Sequence, residues 1–198
     1  MAKKSIENEI IKYLVKDLSG KQTVTYLAGE LGISRVGIWK AVKRLESKGL
    51  VVLHSIGEGK TSVYTIKINF DNPVSEKMLA LYLTEDALKY KRWIVNFQEL
   101  EKEVDFLILY GSILKSNTEA KDIDILGVVS DKKRFIEINK IINKIQKTQI
   151  KKIHSITFTI NELEDEIKKG NKAFIDGIKK GKVLFGQERF VRIMRDLL

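Results

Sequence analysis

The 198-residue chain contains no cysteine, one proline and two histidines. Without a thiol there is no disulfide, no thiolate metal site and no cysteine nucleophile. His54 and His154 are too few and too scattered for a multi-histidine cluster. Any metal must then rest on carboxylates, which points to Mg²⁺, with Mn²⁺ as substitute, rather than Zn²⁺. No apolar run reaches the length of a membrane span. Met1-Ala2-Lys3-Lys4 and the mixed residues after them lack the apolar stretch of a signal peptide. A cytoplasmic protein with no membrane partner is the expectation.

Lys and Arg number 36 against 26 Asp and Glu, leaving a net charge of +10. Residues 1–70 hold 12 Lys/Arg against 6 Asp/Glu, and the remaining residues 24 against 20. Basicity is therefore concentrated at the N-terminal end, which suits a polyanionic partner there. The competing explanation is a lysine-rich or thermophilic proteome, which would enrich charge without any partner.

The chain reads as an α+β protein of two domains joined by helical sequence. Ile6, Ile10, Tyr13, Leu14 and Leu18 repeat at helical spacing over residues 5–18 before Gly20. A second helix covers residues 25–31, Gly32 makes the turn, and Ser34 caps a third helix that ends at Gly49. Residues 50–54 and 62–68 alternate as two strands around a glycine-containing turn. The only proline, Pro73, lies at the boundary. A helical stretch over residues 74–103 follows, with a break expected near Leu83 and Thr84. Strands are expected over 105–110, 123–129 and 153–160, a helix over 132–148, and mostly helix over 161–198. The expected domains are thus residues 1–70, a helical connector 71–104, and residues 105–198.

Within the first domain each residue of the turn has a mechanical role. Leu27, Ala28 and Leu31 pack one helix, Ile33 plugs the corner, and Ile38, Val42 and Leu45 bury one face of the next. Arg35, Trp39, Lys40 and Lys43 are left to project outward, toward a major groove. This segment resembles the winged helix-turn-helix repressors, especially the N-terminal module of bacterial biotin repressors, over about residues 5–68. The resemblance implies a transcription regulator bound to double-stranded DNA. Ser34, Arg35, Trp39 and Lys40 would lie at the recognition helix, Lys43 and Arg44 on phosphates, and Lys60 on the wing against the backbone or minor groove. Winged helices also serve as protein-protein modules, and their basic residues are then a solvated face.

In the second domain the apolar segment ending at Leu109-Tyr110 runs into Gly111-Ser112, and after a spacer of nine residues comes Asp122-Ile123-Asp124. A Gly-Ser turn can present backbone N–H groups and a hydroxyl to a phosphate. Carboxylates two residues apart on a strand share a face and can share divalent metal. The arrangement resembles the nucleotidyltransferase superfamily, the fold of DNA polymerase β and kanamycin nucleotidyltransferase, and especially its small minimal members, over about residues 75–198. A small mixed-sheet α/β domain with helices at both ends is implied, with Gly111 and Ser112 on a nucleoside triphosphate and Asp122 and Asp124 as Mg²⁺ ligands and catalytic acids. Active relatives place a third carboxylate on a neighbouring strand, but residues 153–160 contain no acid. Glu162, Glu164 and Asp165 read as the first turn of a helix; His154 is open to two readings, a replacement for the missing base or, as is more usual for a lone histidine at a strand start, a structural residue. Leu114 and Lys115 stand where minimal members commonly have arginine and glycine, and Lys121 where serine is usual.

Three functions fit this pattern. One is a DNA-binding regulator, expected to be a homodimer through the apolar 74–100 helices, whose second domain senses nucleotide. Another is an active Mg²⁺-dependent enzyme transferring a nucleoside monophosphate to a hydroxyl, with the winged helix as targeting arm. The third is a partner in a larger, antitoxin-like complex.

Overall fold

The computed structural model describes residues 5–17, 22–56 and 63–197, and it divides into two compact units, one running to Tyr82 and including Met194–Asp196, the other Leu83–Ile193. In the first unit, α1 (Ile6–Leu14), α2 (Val24–Leu31) and α3 (Arg35–Ser47) precede a hairpin of β1 (Val51–Ile56) and β2 (Val63–Ile68). The hairpin is antiparallel, with Val51 opposite Ile68 and Ile56 opposite Val63. The strands begin and end within a few residues of expectation. Ile10, Ile11, Leu14, Leu27, Ile38, Val42, Leu45 and Ile66 form the core, all at most 2% exposed. Each such side chain contributes roughly 1.5–3 kcal/mol through burial.

Helix α4 (Pro73–Leu88) continues past Leu83 and Thr84 without the expected break; the interruption falls at Lys89 and Tyr90, before α5 (Lys91–Asn96) and a 3₁₀ turn at Gln98–Leu100. Neither Leu83 nor Thr84 is a helix breaker, and after Pro73, which is tolerated at the first helical position, no proline or glycine stands in α4 to stop it.

The second unit is built on a four-stranded mixed sheet of order β5-β4-β3-β6. Its strands are β3 (Phe106–Tyr110), β4 (Asp122–Val129), β5 (Lys152–Thr159) and β6 (Lys182–Phe185). β3 is antiparallel to β4 and to β6, while β5 runs parallel to β4. The parallel step is made by α6 (Arg134–Gln146), as a crossover requires. Both central strands are covered on both faces, which explains their unbroken apolar sequences. Leu107, Leu109, Ile123 and Ile125 meet Trp93, Phe97 and the α6 row Ile138, Ile141, Ile142, Ile145. Across the sheet, the Phe106 ring packs edge-on against Phe190, centroids 5.2 Å apart.

The region after residue 160 is not simply helical. α7 (Ile160–Lys168) and α8 (Lys172–Lys180) are followed by β6, and then by α9 (Gln187–Leu197). Val183-Leu184-Phe185 lies between Gly181 and Gly186, two poor helix formers, and is buried as the edge partner of β3. Four residues are too few to show a strand period, so tertiary pairing decides the outcome.

Candidate functional site

In the first unit the site is the exposed face of α3. Gly32 adopts the left-handed conformation at φ 64° that ends α2, and Ser34 then accepts a 3.1 Å hydrogen bond from the Gly37 N–H. This cap fixes where α3 begins, and with it which residues face outward. Ile38, Ala41, Val42 and Leu45 are buried, while Arg35, Lys40, Lys43 and Arg44 are exposed on the other side.

The cations are not equivalent. Arg44 Nε lies 2.5 Å and Lys48 Nζ 2.6 Å from the two oxygens of Glu7 on α1, so both pin α3 to α1. These bonds hold the Glu7 carboxyl below its ordinary range, the Lys48 contact most of all. Lys43 pairs with Glu46 at 2.7 Å and lies 5.1 Å from the centroid of the Trp39 ring. Arg35 and Lys40 have no ion pair among the described residues. Trp39 is half-buried and its ring meets that of Tyr64 on β2 at a tilt of 42°, centroids 5.7 Å apart, which joins the helix face to the hairpin. Lys60 lies outside the described residues. Sequence reasoning missed two apolar groups on this surface, Val36 at 64% exposure and Tyr64 at 40%. An exposed valine two residues into a capped helix was the available signal for the first.

In the second unit the sheet register assembles the site. Tyr110, the last residue of β3, lies opposite Asp124, so the Gly111-Ser112 turn emerges beside the carboxylates. Gly111 has φ 80° and ψ −160°, and a Cβ there would stand 2.2 Å from Asp124 Oδ2. Only glycine allows this approach. Ser112 is exposed at the start of a 3₁₀ turn, Ser112–Leu114, and Lys151 holds the end of the intervening loop through the Ala120 carbonyl.

Asp122 and Asp124 are the partly exposed residues of β4, whose other side chains are buried. The parallel pairing sets His154 beside Asp124. His154 Nδ1 lies 3.5 Å from Asp122 Oδ2 and 3.5 Å from Asp124 Oδ1, and one ligand atom from each residue falls within 4.8 Å of the others. Burial raises the Asp124 pKa, the Asp122 charge raises it further, and His154 opposes both. Burial likewise raises Tyr110, with Asp124 and Asp122 adding to it. A concentrated negative charge thus meets an imidazole that is 46% exposed rather than enclosed in a core.

Glu162 lies at the opposite end of the sheet. β4 and β5 run in register from Asp122/Lys152 to Val129/Thr159, a separation of about 23 Å at ~3.3 Å per residue. There Glu162 completes a capping box with Thr159 and pairs with Lys132 at 2.8 Å. The Lys132 contact and the Thr159 N–H bring its pKa down to about 2. It serves the start of α7, as an acid in a first turn is expected to do.

Residues 7–59 match the HTH domain family, and residues 93–190 match the family Polymerase beta, Nucleotidyltransferase. No curated protein and no solved structure shows significant similarity to the chain. No helix among the described residues is long and apolar enough to cross a membrane. The chain therefore joins an N-terminal helix-turn-helix domain to a nucleotidyltransferase-fold domain with a mixed sheet, the fusion expected from the two motifs.

Proposed function

We propose that this fusion of a helix-turn-helix domain and a nucleotidyltransferase-fold domain is a cytoplasmic, homodimeric DNA-binding regulator whose second domain binds a nucleoside triphosphate with a divalent cation. The observation that carries the reading is the face of α3. A capped helix buries Ile38, Val42 and Leu45 and presents Arg35, Lys40, Lys43 and Val36 outward. Arg35 and Lys40 meet bases or phosphates near the helix start, Lys43 and Arg44 meet phosphates, and Trp39 buttresses the helix against the hairpin. Val36 offers a methyl surface of the kind that reads thymine. Lys60 extends the phosphate contact from the wing.

In the second domain Gly111 and Ser112 receive the phosphates, and Asp122 and Asp124 hold the cation, Mg²⁺ or Mn²⁺. The donor set fits such an ion: two crowded carboxylates face solvent at a strand end, and one of them has a pKa raised by burial and by the other's charge. When bound, the cation supplies charge neutralisation for the triphosphate. The chain's own contribution is to fix the carboxylates on one face and to bring the Gly-Ser backbone against them.

Mobility-shift titration against DNA pools in rising salt tests the DNA reading: a selected sequence and an affinity that falls with salt are expected. Absence of any selected site, or an affinity indifferent to salt, refutes it. Calorimetry with Mg-ATP and the other triphosphates tests the second domain. No heat for any nucleotide removes that half of the proposal.

Nucleotidyl transfer to a hydroxyl is the second reading, and one observation favours it. His154 sits against the acid pair where the neighbouring strand offers no carboxylate. Incubation with labelled triphosphates and Mg²⁺ or Mn²⁺ separates the two: label in an acceptor or in the protein itself establishes transfer.

A further inference from the structure

We propose that His154 replaces a carboxylate as third ligand of the Asp122/Asp124 site, so that the site takes a first-row transition cation, Mn²⁺ included, in preference to Mg²⁺. The inference rests on the reading of the carboxylate pair as a cation site and adds its composition and selectivity. Three independent features carry it. The β4–β5 register is continuous and places His154 on the strand neighbouring the acids, at the level of Asp124. Its Nδ1 is equidistant from one oxygen of each carboxylate, at 3.5 Å. Its side chain is 46% exposed, and those of Asp122 and Asp124 are 33% and 22% exposed, so the three ends face an accessible space rather than a packed core.

Donor chemistry gives the selectivity. Mg²⁺ demands near-ideal octahedral geometry, favours oxygen and dehydrates reluctantly. An imidazole nitrogen forfeits part of that preference, whereas a first-row transition cation accepts mixed nitrogen and oxygen donors. The acids that directly follow β5 all lie in α7, at the far end of the strand from His154: Glu162 with Lys132, Glu164 with Lys168, Glu166 with Lys169, and Asp165 on the same helix. Among the described residues Asp122, Asp124 and His154 form the group whose ligand atoms converge.

The test is Mn²⁺ binding to the full chain followed by electron paramagnetic resonance, with Mg²⁺ as competitor and no nucleotide present. Loss of the free-ion signal gives the affinity, and ¹⁴N coupling in the pulsed spectrum reports imidazole in the coordination sphere. The wild type is expected to bind Mn²⁺ with ¹⁴N coupling. His154→Ala should lose the coupling and weaken Mn²⁺ at least about tenfold, since even outer-shell partners of metal ligands are worth that much. His154→Asp should retain binding without the coupling and yield Mn²⁺ to a smaller excess of Mg²⁺, while His54→Ala should change nothing. Mn²⁺ bound without ¹⁴N coupling and indifferent to His154→Ala overturns the inference while leaving the carboxylate site standing. Failure of Mn²⁺ to bind the wild type overturns the site itself.

Discussion

Gly111→Ala probes the contact on which the second site depends. At φ 80°, ψ −160° the residue occupies a region essentially confined to glycine, and a side chain there costs about 1–3 kcal/mol in backbone strain. The added Cβ would also stand 2.2 Å from Asp124 Oδ2. Turning the Asp124 carboxylate out of its rotamer to relieve that overlap costs a further ~0.5–1.5 kcal/mol. The two contributions separate in a double-mutant cycle. In an Asp124→Ala background the nearest remaining side-chain atom is Cβ at 3.4 Å, an ordinary contact, so only the strain remains. Gly111→Ala should therefore be about 0.5–1.5 kcal/mol more costly in the wild type than with Asp124→Ala. Urea unfolding followed by fluorescence measures this. The chain has two tryptophans, and a Trp39→Phe background leaves Trp93, buried in the core of the second unit, as sole reporter. Equal costs in both backgrounds would refute the claim that Gly111 is selected by its closeness to Asp124.

Ser34→Ala removes the side-chain acceptor for the Gly37 N–H and should destabilise the first unit by about 1 kcal/mol, read from Trp39 fluorescence in a Trp93→Phe background. Lys40→Ala should lower the slope of log affinity against log salt by about 0.9, the share of one phosphate contact; an unchanged slope removes Lys40 from the interface. Glu7→Gln should destabilise the first unit at neutral pH through loss of the Lys48 and Arg44 bonds. The folded Glu7 pKa is depressed below 4.5, so its contribution is fully present above that value and lost as pH falls through the lower folded pKa. Thermal melts of wild type and variant should therefore converge below pH 4.5, and a constant difference down to strong acid would contradict this assignment.

Much of this architecture is legible because local chemistry and burial agree. Gly32 and Ser34 punctuate the helix-turn-helix in sequence as they do in space. Burial on both faces makes β3 and β4 apolar enough to stand out, and the partly exposed Asp122 and Asp124 interrupt that pattern where the site lies. What is not legible depends on pairing. β6 has four residues, short of any periodicity, and exists because the free edge of β3 accepts it. His154 belongs to the same class. Its neighbour is decided by the parallel register between strands joined through α6, which no local pattern encodes. Starting both strands of that crossover at the same level would have set His154 beside Asp124, the one signal available before the structure.

The basic face of α3 shows the same limit for charge. Arg35, Lys40, Lys43 and Arg44 are alike in sequence, each a cation on the exposed side of one helix. The fold ranks them, because Glu7 occupies the Arg44 guanidinium and Glu46 the Lys43 ammonium. A phosphate that recruits Arg44 must displace an existing charge-assisted bond, so the net gain is the difference between two similar interactions. For Arg35 and Lys40 no such exchange is needed. Salt dependence should therefore report chiefly on these two residues, and Arg44→Ala should weaken the α1–α3 contact more than it weakens DNA binding. A variant that lost affinity through Arg44 while keeping its melting temperature would reverse this ranking and move the centre of the interface toward the C-terminal half of α3.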